Sequence, residues 1–170
     1  ASRLKSIKSL FTILRPENQF GATPINQTSI SQRCLCGLNK YSVKVGSKTY
    51  PQQPLTKVSE IFAETVKAIG PLGDCRSANR MNYANYARSA YTLLAAGNVA
   101  SGFIGIDYET YAQASSILES GLDTASQSLP INIELGFPVG PAAGVCKVTN
   151  VALVDVIFTL DSQGLISASM

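Results

Sequence analysis

Histidine is absent from the 170-residue chain, and so is tryptophan. Without an imidazole, neither a Ser-His-Asp nor a Cys-His nucleophile system can be assembled within it, and a His-based zinc or non-haem iron site is excluded as well. Lack of tryptophan weakens any sugar-binding reading that rests on stacking against large aromatic faces. Charge is scarce: 15% of side chains are ionisable as Asp, Glu, Lys or Arg, where about 25% is usual. That excludes a disordered chain or a charge-laced coiled coil, and it points to a surface that meets other protein more than water. No apolar run approaches the ~20 residues of a membrane helix, so no membrane span is expected, and the N-terminus lacks the apolar core of a signal peptide.

Cysteine is sparse, with Cys34, Cys36, Cys75 and Cys146. One C-x-C pair and two distant singles do not match the two-pair spacing of a zinc site, and buried free thiols are the expectation. A scattered four-thiol site and three disulfide pairings remain open. What is plentiful is apolar character, at 45%. A chain of this length reads as one domain, and it buries about two-thirds of its unfolded surface without needing a metal or a disulfide.

The net charge of +3 hides a split. Residues 1–56 carry Arg3, Lys5, Lys8, Arg15, Arg33, Lys40, Lys44 and Lys48 against Glu17 alone; residues 81–170 carry Arg88 and Lys147 against seven acids. A basic third can face phosphates, but these cations are spread out rather than clustered, and no specific nucleic-acid recognition is expected. The same split also suits contacts between neighbouring copies, basic part to acidic part.

Along the chain, residues 4–15 offer a helical spacing, but Leu10-Phe11-Thr12-Ile13-Leu14 followed by Pro16 favours a strand. An opening without Met, straight into such a segment, reads as a fragment or processed part of a longer chain. Residues 16–39 read as a loop. Tyr41-Ser42-Val43-Lys44-Val45 alternates, with Tyr41, Val43 and Val45 inward. Gly46-Ser47 makes a two-residue turn with Gly first, and Lys48-Thr49-Tyr50 returns antiparallel until Pro51 and Pro54 stop it. Thr56 is the predicted N-cap of a helix over 57–69, whose Val58, Ile61, Phe62, Val66 and Ile69 form one apolar stripe before Gly70-Pro71. Residues 82–96 hold Tyr83, Tyr86 and Tyr91 at helical spacing and read as a weak helix or an ordered loop. Further strands are predicted at 103–107 and at 131–137, the latter alternating at every step, and across 146–160 as one bent strand or two. A turn at 161–164 leads into Leu165-Ile166-Ser167. Many short strands with one or two short helices in inter-strand loops predict a mainly β fold, a jelly-roll β-sandwich occupying residues 1–170 as one domain.

No constellation supports catalysis. Asp107 and Glu109 would share a strand face as paired carboxylates, but at a strand end they read as loop solvation. Ser120-Gly121 lacks a nucleophile elbow. Gly102-x-x-Gly105 and Gly70-Pro71-Leu72-Gly73 lack the remaining parts of a dinucleotide fingerprint and a P-loop. No cofactor and no metal are expected. The seven tyrosines suit interface or core packing, with contact area and a hydrogen-bonding tip. Val58, Ile61, Phe62, Val66, Tyr50, Tyr83 and Tyr86 are the packing and interface candidates, the helix stripe lying on the sheets or on a neighbour.

The ordered segments Leu4-Lys5-Ser6-Ile7-Lys8-Ser9-Leu10-Phe11 and Tyr41-Ser42-Val43-Lys44-Val45-Gly46-Ser47-Lys48-Thr49-Tyr50-Pro51-Gln52-Gln53-Pro54 resemble the C-terminal part of double jelly-roll major capsid proteins of the adenovirus, polinton and virophage lineage. Glu119-Ser120-Gly121-Leu122-Asp123-Thr124 and Val156-Ile157-Phe158-Thr159-Leu160-Asp161-Ser162-Gln163-Gly164 fit the same comparison. The resemblance implies a structural, non-catalytic virion protein: two jelly rolls in tandem, three chains per pseudo-hexagonal capsomer, and capsomers tiling an icosahedral shell. Its partners would be other copies, neighbouring capsomers, and minor capsid or penton proteins. This chain has length for one roll, so the second would lie on another piece. Two further readings stand beside it: a β-sandwich binding module for a receptor or glycan, and an enzyme using carboxylates alone.

Overall fold

In the computed structural model, which describes residues 4–16, 33, 35–69, 83–87, 102–109, 121–126, 128–137, 146–164 and 166–169, the ambiguous first segment is a strand, β1 (Ile7–Pro16). Its two faces differ as a strand requires. Leu10, Thr12 and Leu14 are buried between the sheets, while Phe11, Ile13 and Arg15 on the opposite face are half-buried.

The alternating segment forms β2 (Lys40–Val45), with Tyr41, Val43 and Val45 all buried as expected. Ser42 is buried too, between Lys40 and Lys44, which are exposed on the same face. Gly46 takes a φ of +59° and Val45 pairs with Lys48, which gives the two-residue turn. The returning strand β3 (Lys48–Leu55) corrects the sequence reading, because it runs through Pro51 and Pro54. β2 lies between it and the strand Ile131–Gly136, which puts it on an edge of the sheet, where a missing N–H costs least. Tyr50 pairs with Val43 and Leu55 with Tyr41, so both prolines fall in a bulge between those pairs. The Tyr50–Pro51 peptide is cis.

Helix α1 (Val58–Ile69) lies where predicted, but its cap differs from expectation. Lys57 supplies the first helical carbonyl, to the Ile61 N–H. Glu60 then reaches back to accept from the Thr56 and Lys57 N–H groups at 3.1 and 3.2 Å. The acidic half of a capping box therefore replaces the Thr56 hydroxyl, and these bonds hold the Glu60 carboxyl below its ordinary value. One helical turn, α2 (Tyr83–Tyr86), is what the structure describes of the second helix. The rest of 82–96, most of the 16–39 loop and the Gly70-Pro71 stop lie outside the described residues.

Strands β4 (Ile104–Asp107), β5 (Ile131–Gly136), β6 (Cys146–Val154), β7 (Ile157–Leu160) and β8 (Ile166–Ser169) complete the elements. The 146–160 stretch is thus two strands. They are divided at Asp155, whose N–H bonds the Ser6 carbonyl and whose carboxylate accepts from the Ser6 hydroxyl. The fold is mainly β: antiparallel sheets β4-β1-β6 and β3-β2-β5, plus the β7-β8 hairpin. Leu10, Leu14, Ile104 and Ile106 from the first sheet meet Tyr41, Val43 and Val45 from the second in one core. The Thr12 and Tyr41 hydroxyls join across it at 3.0 Å. Helix α1 makes a third layer on the outer face of the first sheet, where the Ser9 hydroxyl donates to the Ala68 carbonyl.

Candidate interaction surface

The predicted helix stripe is rotated in the structure. Ile61 is fully buried, but the other buried positions of α1 are Thr65 and Ala68, while Val58, Phe62 and Val66 are half-buried. The reason is polar. Thr65 Oγ1 donates to the Ile61 carbonyl at 2.7 Å and accepts from the Gly105 N–H at 3.0 Å, so the helix faces β4 with a hydroxyl at its centre. Tyr86 shares this network, donating to the Phe103 carbonyl at 2.6 Å with its oxygen 3.0 Å from Thr65 Oγ1. A full set of partners makes a buried hydroxyl tolerable, and burial pushes the Tyr86 phenol well above its ordinary value.

The structure therefore separates the seven candidates. Ile61 and Tyr86 are core residues of this chain, not contact residues for another. Phe62 joins Tyr83 and Tyr86 in edge-to-face contacts at 5.1 and 4.9 Å, and of these three Tyr83 reaches the surface, 46% exposed. Tyr50 stands apart against Tyr108 at 5.1 Å. Burial pushes Tyr41 up to about 12, its bond to Thr12 pulling the other way. Tyr108 is likewise raised by burial, and its hydroxyl is buried with no hydrogen-bond partner.

The two carboxylates read as a conceivable acid pair have separate tasks. Asp107 accepts from the Glu109 N–H at 3.0 Å, closing a turn, and Glu109 pairs with Lys8. Lys8 lies 3.2 Å from both Glu109 and Asp155. Burial works to lower its pKa, but hydrogen bonds and charges from those two acids outweigh that and raise it. On the second sheet, Lys40 and Lys44 both meet Glu134, and the Lys44 and Ser42 bonds hold that carboxyl below its usual range. Three lysines of the basic third and three acids of the acidic part are thus joined inside one chain. Among the described residues, no group of His, Cys, Asp and Glu is placed to hold a metal ion, and no helix is long and apolar enough to cross a membrane. Cys34 and Cys75 lie outside the described residues, so the thiol expectation for them does too.

An apolar face that the sequence reading missed lies at the C-terminal end. Phe158, Leu160 and Ile166 are 69, 70 and 71% exposed. The register pairs Leu160 with Ile166 and Phe158 with Ala168, so these four residues share one face of the β7-β8 hairpin. The opposite face carries Thr159 and Ser167, hydroxyl to hydroxyl. Among the described strands and helices, β7 and β8 pack chiefly on each other. On β6, the edge strand that leads into the hairpin, Val148, Val151 and Leu153 are exposed as well. The alternation of Phe158 and Leu160 with Thr159 was the available signal, but it is the pattern of a core-facing strand and says nothing about what the face meets.

One concave feature among the described residues is an open depression of about 400 Å³ lined by Lys5, Gly121, Asp123, Ala125 and Ser126. Its Asp123 is engaged in capping the turn through the Ala125 and Ser126 N–H groups. Compared with protein-family models, with curated proteins and with solved structures, the chain matches none of them.

Proposed function

We propose that this chain is a structural subunit of a viral shell: a jelly roll corresponding to the C-terminal half of a double jelly-roll major capsid protein. In that role it forms trimeric, pseudo-hexagonal capsomers with other copies of itself and sits in the virion. It runs no reaction and needs no cofactor. Two facing antiparallel sheets are compatible with a jelly roll, and the chain passes between them from β3 to β4, from β4 to β5 and from β5 to β6. The observation that carries the reading is the exposed apolar face of the β7-β8 hairpin, with Val151 and Leu153 exposed on β6 as well. A two-stranded hairpin is marginal by itself in water, and contiguous exposed apolar surface marks a place where other protein binds. Obligate assemblies bury ~2,000 Å² or more per interface, which calls for surface of this kind. The test is the mass of the purified chain in solution by light scattering across a concentration series. A trimer is expected; a folded monomer that persists at the highest concentration overturns the reading and returns the chain to the binding-module alternative.

A further inference from the structure

The two three-stranded sheets have four edge strands, and three of them carry a device that blocks pairing with a further strand. β3 begins at Lys48 and contains Pro51 and Pro54. β4 has its Gly105 N–H taken by Thr65 Oγ1 at 3.0 Å, and the Phe103 carbonyl beside it accepts from Tyr86. β5 is six residues long and carries Glu134, with Lys40 and Lys44 against it. β6 has none of these. It runs for nine residues, holds neither proline nor glycine, and has Lys147 as its one charged residue. Among the described residues, its strand partner is β1 alone. Its two faces are open as well. Val151 and Leu153, on the side of Phe11, are 49 and 53% exposed, and Val148, opposite Leu14, is 41% exposed. Open backbone and apolar side chains thus coincide on one edge, and an added strand satisfies the first while covering the second.

We propose that the added strand is β6 of a second copy, antiparallel across a two-fold axis, so that two β4-β1-β6 sheets join into one of six strands. A strand can meet its own copy only where no like charges come face to face, and residues 148–154 carry no charge. The register that fits is centred on Val151. It sets Val151 against its counterpart, Val148 against Val154 and Thr149 against Leu153, and it brings position 147, a lysine, opposite position 155, an aspartate. Centring one residue earlier would oppose Asn150 to itself, and its Oδ1 is already engaged by the Thr12 hydroxyl at 2.9 Å. The contact is self-complementary, as a two-fold interface requires. This inference does not depend on the shell reading, which rests on the hairpin face; where trimers form, the β6 pairing links one trimer to the next.

The test is amide hydrogen exchange of the full chain, read on β6 at rising protein concentration. In a tight pair the free fraction falls as the inverse square root of total concentration. A hundredfold rise should therefore slow exchange of the β6 amides that point away from β1 by about tenfold. Charge placed at the axis identifies the partner. Val151→Lys and Val151→Glu each set like charges against each other, so each variant alone should lose the concentration dependence, and a one-to-one mixture should regain it. Val151 is exposed, and surface changes of this kind leave folding intact. Should either charged variant still fail to fold, Val151→Cys carries the test: under mild oxidation it should give a dimer linked through the two new thiols, identified by peptide mass spectrometry. Exchange in β6 that ignores concentration overturns the proposal, as does absence of that cross-link. Concentration dependence that survives in both charged variants also overturns it, and would assign the edge to a different segment of the neighbouring copy.

Discussion

Three buried tyrosines differ in what their hydroxyls meet, and the difference is measurable. Tyr86 donates to a carbonyl and touches Thr65, Tyr41 meets Thr12, and Tyr108 meets no acceptor. A satisfied hydrogen bond contributes about 1 kcal/mol net, while a buried polar atom without a partner costs about 1–3 kcal/mol. Tyr86→Phe should therefore lower stability in urea titration by about 1 kcal/mol, and Tyr108→Phe should leave it unchanged or raise it. An equal loss in both variants would show that Tyr108 has found an acceptor. Asp107 gives a second case, read through pH. Its folded pKa is raised above 3.8, by desolvation first. A raised carboxyl contributes stability below its unfolded value and loses it as pH rises through the folded value. At pH 7 the wild type bears the whole cost. Asp107→Asn keeps an acceptor for the Glu109 N–H, so its melting temperature should exceed that of the wild type at pH 7, with the advantage gone by about pH 3. A constant difference across that range would remove Asp107 titration as its source.

Helix α1 and the first sheet lie close together at Gly105. A Cβ there would stand 2.9 Å from the Ala68 Cβ and 3.0 Å from the Phe11 ring, so contact between the layers depends on the missing side chain. Gly105→Ala should cost about 1–3 kcal/mol by overpacking. Combining it with Ala68→Gly should recover part of that loss, a coupling of at least about 0.5 kcal/mol in a double-mutant cycle. Additive losses would mean that the helix shifts freely on the sheet. This contact also marks where the sequence stopped being informative. The existence of α1, and the strands at Tyr41–Val45 and Ile131–Gly136, followed from periodicity, because the core imposes a repeat of 3.6 or 2 on whatever packs against it. The orientation of α1 did not follow. A threonine at the centre of a buried face looks polar in sequence, and only the Gly105 N–H, 40 residues away, makes it the right residue. Pro51 and Pro54 misled for a similar reason: whether proline ends a strand depends on whether that strand lies at an edge, and the topology decides that.

At the scale of the whole molecule, several charges are paired within the chain while large apolar side chains are left exposed. The lysines that looked available to a neighbour, Lys8, Lys40 and Lys44, are joined to Glu109, Asp155 and Glu134 of their own chain. The apolar side chains of the hairpin are left facing out. Association led by such a face should depend little on salt, because Debye screening acts on exposed charges and leaves apolar burial intact. The face also lies on an element that contributes little to the core, so association and folding can be separated by mutation. Phe158→Ser combined with Leu160→Ser removes two large side chains that are about 70% exposed, and surface changes of this kind alter stability by about 0.5 kcal/mol or less. The double variant should unfold at nearly the wild-type urea midpoint yet sediment as a smaller species, whereas Ile61→Asp, aimed at a fully buried position, should not fold at all. If the hairpin variant unfolds early, the hairpin belongs to the core; if it keeps the wild-type mass, copies of the chain meet through some other surface.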